Sequence, residues 1–145
     1  VRTAIDTNVL IDVLARSGKS SDEAIEALLV AAGQGELILS VICYAEIAHR
    51  FPSRDELTEF LDGLQINVVD LTADHAFAAG TFHQAYRKRG GTRQRILPDF
   101  LVGAHALADA DRLLTTDGRF YGPSFPALKA ISPRELLKIQ PGSVS

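Results

Sequence analysis

Residues 3–11 read Thr3-Ala4-Ile5-Asp6-Thr7-Asn8-Val9-Leu10-Ile11, and two periods meet inside them. Thr3-Ala4-Ile5 is a run of strand length, while beyond Asp6 the apolar residues recur at helical spacing as far as Leu14. A strand that hands over to a helix across one acidic residue opens a βα unit. The alternation continues along the chain. Strands are predicted at residues 3–6, 36–40, 66–71, 112–116 and 128–131, and helices at 8–14, 21–32, 41–51, 54–64, 73–88 and 98–108. Ser21 is placed to cap the second helix, Gly33 and Gly35 to stop it, and Pro98 suits a first helical turn. The expected class is α/β with a parallel sheet.

Composition sets the outer limits. With 145 residues, 46% of them hydrophobic, the chain can bury a core without disulfides or a structural metal. One domain over residues 1–140 is expected, followed by a loose tail at 141–145. The single cysteine, Cys43, fits a reducing cytoplasm and is read as a space-filling residue. No long apolar window or signal-peptide pattern is present, so neither membrane insertion nor secretion is expected. Fifteen Lys and Arg against eighteen Asp and Glu leave a net charge of −3, which argues against a generic charge-driven nucleic-acid binder but not against a local basic patch.

Open parallel sheets gather ligands outside the carboxyl ends of their strands, where strand order reverses. Four acids stand at or near such exits. Asp6 follows the first strand, and Glu46 lies in the second turn of the helix after the second. Asp99 follows Pro98 at the start of a helix that is apolar nearly all round, and Asp117 follows Leu113-Leu114-Thr115-Thr116. Gathered in one concave site, they would raise one another's pKa unless a cation sat among them. An all-oxygen donor set points to a hard divalent ion, Mg²⁺ or Mn²⁺, and so to phosphate chemistry. Metal-dependent hydrolysis of nucleic acid is the expected activity. Thr7, Asn8, Thr115 and Thr116 carry no charge but can orient Asp6, Asp117 or a metal-bound water from behind.

Together, Asp6-Thr7-Asn8-Val9-Leu10-Ile11, the mid-chain Glu46, Asp99-Phe100-Leu101-Val102-Gly103-Ala104-His105-Ala106 and Leu114-Thr115-Thr116-Asp117-Gly118-Arg119-Phe120 resemble the PIN-domain ribonucleases, and most of all the VapC toxins of prokaryotic toxin-antitoxin pairs. The resemblance spans nearly the whole chain in the family's order. It implies a three-layer α/β/α fold around a parallel sheet of four or five short strands. It also implies a Mg²⁺- or Mn²⁺-dependent endoribonuclease with Asp6, Glu46, Asp99 and Asp117 as its acidic site, RNA as substrate, a cognate antitoxin that places a charged segment over the pocket, and a homodimer. Arg119 departs from the pattern, because some relatives carry a further carboxylate near that position and with it a second metal position.

From His75 to Pro98 there is no Asp or Glu, while Arg87, Lys88, Arg89, Arg93 and Arg95 supply a third of the chain's basic residues. Ending at Asp99, this run is the expected RNA-contacting edge, with Tyr86 available to stack on a base. Its bland reading is a solvated helix end whose cations complement the helix dipole. Bland readings exist for the acids too: Asp6, Asp99 and Asp117 as helix caps or turn residues, Glu46 as an exposed helix residue.

His49 lacks the second histidine of a zinc-protease motif and is expected to face solvent; His105 is read as a core residue, and His75 and His83 receive no role. Gly18-Lys19-Ser20 is read as a loop, since Val13 stands where a phosphate-binding loop needs glycine. Two alternatives stay open. A phosphatase of the haloacid-dehalogenase type wants a second acid two residues after the first, where this chain has Asn8. A non-catalytic RNA-binding or interaction domain would keep the same fold without activity.

Overall fold

A computed structural model describes residues 1–91 and 96–139. Arg93, Arg95 and the expected tail at 141–145 lie outside the described residues. Among the described residues, five strands alternate with eight helices: β1 (Thr3–Ile5), α1 (Thr7–Leu14), α2 (Lys19–Gln34), β2 (Leu37–Ser40), α3 (Val41–Ala48), α4 (Arg54–Gly63), β3 (Ile66–Val69), α5 (Ala73–Lys88), α6 (Ile96–Asp109), β4 (Arg112–Leu114), α7 (Gly118–Ser124), β5 (Ala130–Ile131) and α8 (Pro133–Ile139). All strand pairs are parallel, in the order β3-β2-β1-β4-β5. The fold is thus three-layered α/β/α, as expected.

Strands covered on both faces should be apolar throughout rather than alternating, and β1, β2 and β4 are buried at every position. Chain order runs outward from β1 to β2 and β3, then returns to its other side as β4 and β5. The reversal therefore falls between β1 and β4, and its crevice opens beyond Ile5 and Leu114, which are paired in register. Helices α1 and α8 pack on α2, whereas α6 packs on α5 and α3.

Several ends differ from the sequence reading. Helix α2 begins at Lys19, after Gly18 at φ 97°, so Lys19 and Ser20 are helical rather than part of a loop. Ser21 caps nothing: it lies inside the helix with its Oγ buried and without a hydrogen-bond partner among the described residues. Gly35 ends α2, and Gly33 remains within it. Two helices, α7 and α8, were not expected. Ser132 and Glu135 form a reciprocal cap at the start of α8: the Glu135 N–H donates to Ser132 Oγ and the Ser132 N–H to Glu135 Oε1, each at 3.1 Å.

An aromatic cluster joins α5, α6 and α7. Phe100 is fully buried, with its ring centre 5.2 Å from Phe120, 5.4 Å from Tyr86 and 5.6 Å from Phe125. Phe100 directly follows Asp99, and Phe120 lies three residues after Asp117. The cluster thus anchors the backbone beside two of the four acids.

Candidate active site

Asp6 is the first residue past β1, and its backbone N–H still donates to Leu114 O at 3.0 Å, so its side chain leaves the sheet at the reversal point. It is 6% exposed. Three donors reach its carboxylate: Thr7 N–H to Oδ1 at 2.8 Å, Asn8 Nδ2 to Oδ2 at 2.9 Å and Thr115 Oγ1 to Oδ2 at 2.7 Å. The first of these is the helix cap of the bland reading, so capping and site roles coexist in one residue. Burial pushes the Asp6 carboxyl up to about 6; the Thr115 and Thr7 hydrogen bonds oppose this, and the charges of Glu46 and Asp99 add to it.

Ser40 caps α3 by accepting the Cys43 N–H at 3.3 Å, which starts the helix directly at the end of β2 and places Glu46 near Thr7. Thr7 Oγ1 donates to Glu46 Oε1 at 2.6 Å. Asp99 lies in the first turn of α6, where a carboxylate complements the helix dipole. Asp117 starts α7 through its backbone carbonyl, which accepts from Phe120 and Tyr121 as the turn reading expects, while its side chain makes no capping hydrogen bond.

One cavity of about 370 Å³ is lined by Asp6, Thr7, Asn8, Ile11, Glu46, Asp99 and Asp117. The four acids of the sequence reading therefore face a single space. Asn8 Oδ1 accepts the Thr116 N–H at 3.1 Å, and Thr115 Oγ1 accepts the Asp117 N–H at 3.0 Å. Thr116 takes part through its backbone, with its side chain exposed.

Beneath the acids lie Cys43 and Tyr121, both buried. Burial first, and then the negative charge of Asp6, pushes the Cys43 thiol up to about 12, which keeps it a protonated packing residue. Burial and then the charges of Asp6 and Asp99 drive the Tyr121 phenol far above its ordinary value, so it also stays protonated. Tyr121 was given no role from sequence, where nothing separates it from other core residues, and the half-buried Ile11 was quoted only within the Asp6–Ile11 stretch.

The basic run divides. Arg87 and Lys88 occupy the last turn of α5 and Arg89 its C-cap, which matches the dipole reading. Arg89 borders a cavity that also reaches Asp117, whereas Lys88 borders another shared with Phe77, Gly80 and Gln84. Tyr86 is committed within the fold: its ring packs on Phe100 and Phe120, and the Arg89 guanidinium lies 5.5 Å from its centre. It forms a wall, not a free stacking platform.

His49 is exposed and His105 is buried, as expected. His75 does have a partner pattern. Its Nδ1 accepts the Thr72 N–H at 2.9 Å in a capping box, and its Nε2 lies 3.1 Å from Asp109 Oδ2.

No group of three Asp, Glu, His or Cys side chains among the described residues is gathered tightly enough to enclose an ion. The side chains lining the cavity offer oxygen donors without His or Cys, the donor type that a hard divalent cation takes. An ionised carboxylate has about four lone-pair sites, and three of those on Asp6 accept hydrogen bonds. One lone-pair direction of the Asp6 carboxylate takes no part in these three hydrogen bonds. Among the described residues, no helix is long and apolar enough to cross a membrane.

The PIN domain family model matches residues 3–125. A search of curated proteins found no match. Among solved structures, the chain is similar to one in the complex of VapBC2 from Rickettsia felis bound to a promoter DNA fragment, with 19% identity, a TM-score of 0.73 and coverage of 91% of this chain and 98% of that one. VapBC-1 from nontypeable Haemophilus influenzae gives 19% identity and a TM-score of 0.69 over 92% and 99% of the two chains. A toxin-antitoxin complex from Klebsiella pneumoniae gives 24% and 0.65 over 90% and 97%.

Proposed function

The chain belongs to the PIN-domain family, and on that premise we propose that it is a metal-dependent endoribonuclease, the toxin of a toxin-antitoxin pair. The observation that carries the reading is the convergence of Asp6, Glu46, Asp99 and Asp117 on one cavity at the sheet's reversal point, with Asp6 buried and its carboxyl raised by burial.

Asp6, Glu46, Asp99 and Asp117 are the residues to hold Mg²⁺ or Mn²⁺. When bound, such an ion supplies Lewis acidity toward the phosphodiester and lowers the pKa of a water. The chain's own residues supply orientation. Thr115, Asn8 and the Thr7 N–H fix both oxygens of Asp6. Thr7 fixes one oxygen of Glu46, leaving Oε2 to take a proton or align a water. Thr115 also ties the backbone of Asp117 to Asp6, so the two strand exits move as one unit.

The structural neighbours are described as toxin-antitoxin assemblies, which supports a cognate antitoxin as partner. A homodimer and a cytoplasmic location belong to the same reading. The decisive experiment is incubation of purified protein with mixed RNA, with and without Mg²⁺ or Mn²⁺. The expected result is cleavage abolished by EDTA and by Asp99→Asn with the fold intact. RNA binding with no cleavage under either metal would instead favour a non-catalytic module.

A further inference from the structure

Asp117 borders two cavities. One is the acidic cavity; the other, of about 430 Å³, lies between the C-terminal end of α5 and α7 and is walled by Tyr86, Arg89, Arg119, Phe120 and Ser124. We propose that this cleft is the subsite for the nucleotide next to the scissile phosphodiester, with Arg89 and Arg119 as its phosphate-binding pair. The inference rests on the nuclease reading and adds where the strand runs and which residues hold it.

Electrostatics favour such a place. Carboxylates repel a phosphodiester, and cations beside the acidic cavity add to the attraction that a bound divalent ion would supply within it. Arg119 is exposed in the first turn of α7 and makes no ion pair or hydrogen bond among the described residues, although it stands two positions from Asp117. Its five N–H donors are therefore uncommitted. Arg89 is held in place: Nη2 lies 3.5 Å from Ser124 Oγ, and the guanidinium lies over Tyr86. Those contacts leave most of its donors for a phosphate, and a guanidinium fixed in advance loses less entropy on binding.

The rest of the wall suits a nucleotide. Tyr86 and the buried Phe120 form an aromatic wall of the cleft that packs on Phe100. Cations for the phosphate beside an apolar wall for the ring are what single-stranded nucleic acid needs. The cleft's volume lies within the range of small-ligand sites. A strand laid from this cleft into the acidic cavity passes over Asp117.

The test uses the full chain in EDTA and a short fluorescein-labelled single-stranded RNA of mixed sequence, titrated at several salt concentrations. Arg89→Gln and Arg119→Gln are compared with Lys138→Gln, the same charge change on α8. Each arginine variant is expected to weaken binding roughly 3- to 10-fold and to reduce the slope of log affinity against log salt by about 0.7 for one phosphate contact. Lys138→Gln should reproduce wild type. In Mg²⁺, KM should rise for the arginine variants with kcat nearly unchanged. Arginine variants that match Lys138→Gln in affinity and slope would overturn the subsite, as would a fall in kcat alone, which would place Arg119 on the reacting phosphate. Cleaving wild type with neutral arginine variants removes the subsite and leaves the nuclease. Arginine-dependent binding without cleavage under any metal keeps the cleft as an RNA phosphate site and removes both the nuclease and the subsite's place beside a scissile bond.

Discussion

Thr115 Oγ1 donates to Asp6 Oδ2 at 2.7 Å just beyond the paired ends of β1 and β4. The pairing of Ile5 with Leu114 brings the two residues level, one step past each strand. Because the same oxygen accepts the Asp117 N–H, one buried hydroxyl sets the position of both strand-exit acids.

Replacing that hydroxyl should therefore change the chemistry more than the packing. In Thr115→Val, Asp6 loses the strongest of the hydrogen bonds that hold its carboxyl down, so that carboxyl rises further above about 6. A hydrogen bond to a charged group contributes about 1.5–3 kcal/mol, so cleavage should fall roughly tenfold or more. The acid limb of the pH profile of kcat/KM should move to higher pH, and Thr115→Ser should restore it. An unmoved limb in a folded Thr115→Val protein would reduce Thr115 to a packing residue.

Metal-free stability should carry the signature of Asp6. Its carboxyl is raised from 3.8 to about 6, so the folded state favours the protonated form. That contribution is complete below the unfolded value and is lost as pH rises through the folded one. In EDTA, Asp6→Asn escapes this loss. Its stability relative to wild type should improve between about pH 4 and pH 7 by up to about 3 kcal/mol, read from urea unfolding at the two ends. Mg²⁺ should then stabilise wild type and leave Asp6→Asn unchanged. A pH-independent difference would mean that Asp6 titrates normally.

Asp6 and Asp117 were readable because each follows a strand whose apolar run is visible, Glu46 because it lies on the helix that another strand leads into, and Asp99 because it opens a helix apolar nearly all round. Helix α8 was readable in principle: Ser132-Pro133-Arg134-Glu135 is a capping box with proline at the first helical position. Helix α7 was not, since Gly118, Gly122 and Pro123 within seven residues oppose helix formation, and packing of Phe120 and Tyr121 overrides them. Arg119 was noticed only as a departure. That it shares a cleft with Arg89 depends on how α7 seats against the end of α5, which no local pattern encodes. The His75 cap was hidden for a similar reason: an imidazole stands where Glu or Gln usually marks the motif.

The buried His105 imidazole of α6, packed against His75 of α5, predicts an acid-sensitive contact. His75 and His105 pack with ring centres 5.0 Å apart, and their Nε2 atoms lie 3.1 and 3.4 Å from Asp109 Oδ2. His105 Nε2 is within ion-pair distance but not aligned for a hydrogen bond. Burial lowers the His105 pKa, with Asp109 opposing and His75 and Arg2 adding to the drop. A lowered histidine stabilises the fold above its unfolded pKa of about 6.5, and that contribution fades as pH falls below it. From about pH 7 to pH 5, His105→Gln should therefore gain stability relative to wild type, a difference from which the opposite Asp6 contribution, common to both proteins, cancels. Parallel curves for the two proteins would show that His105 charges as readily folded as unfolded.

Gly103 tests whether packing sets the acids' backbone. It is buried on α6, one turn past Asp99, and a Cβ there would collide with the Phe125 ring. Two effects compete in Gly103→Ala. Removing glycine from a helix interior stabilises by about 1 kcal/mol, whereas overpacking a closed core costs about 1–3 kcal/mol. Which wins depends on whether Phe125 can swing aside. It is fully buried, with Phe82 at 4.5 Å, Phe100 at 5.6 Å and Tyr121 at 6.2 Å between ring centres, so it has nowhere to go. Gly103→Ala should lower the urea midpoint, and adding Phe125→Leu should recover part of the loss, which marks the two sites as coupled. Cleavage should fall as well, because any shift that relieves the clash moves α6 and Asp99 with it. A midpoint that rises in Gly103→Ala would show that this contact is soft and that Asp99 is held by something other than the aromatic cluster.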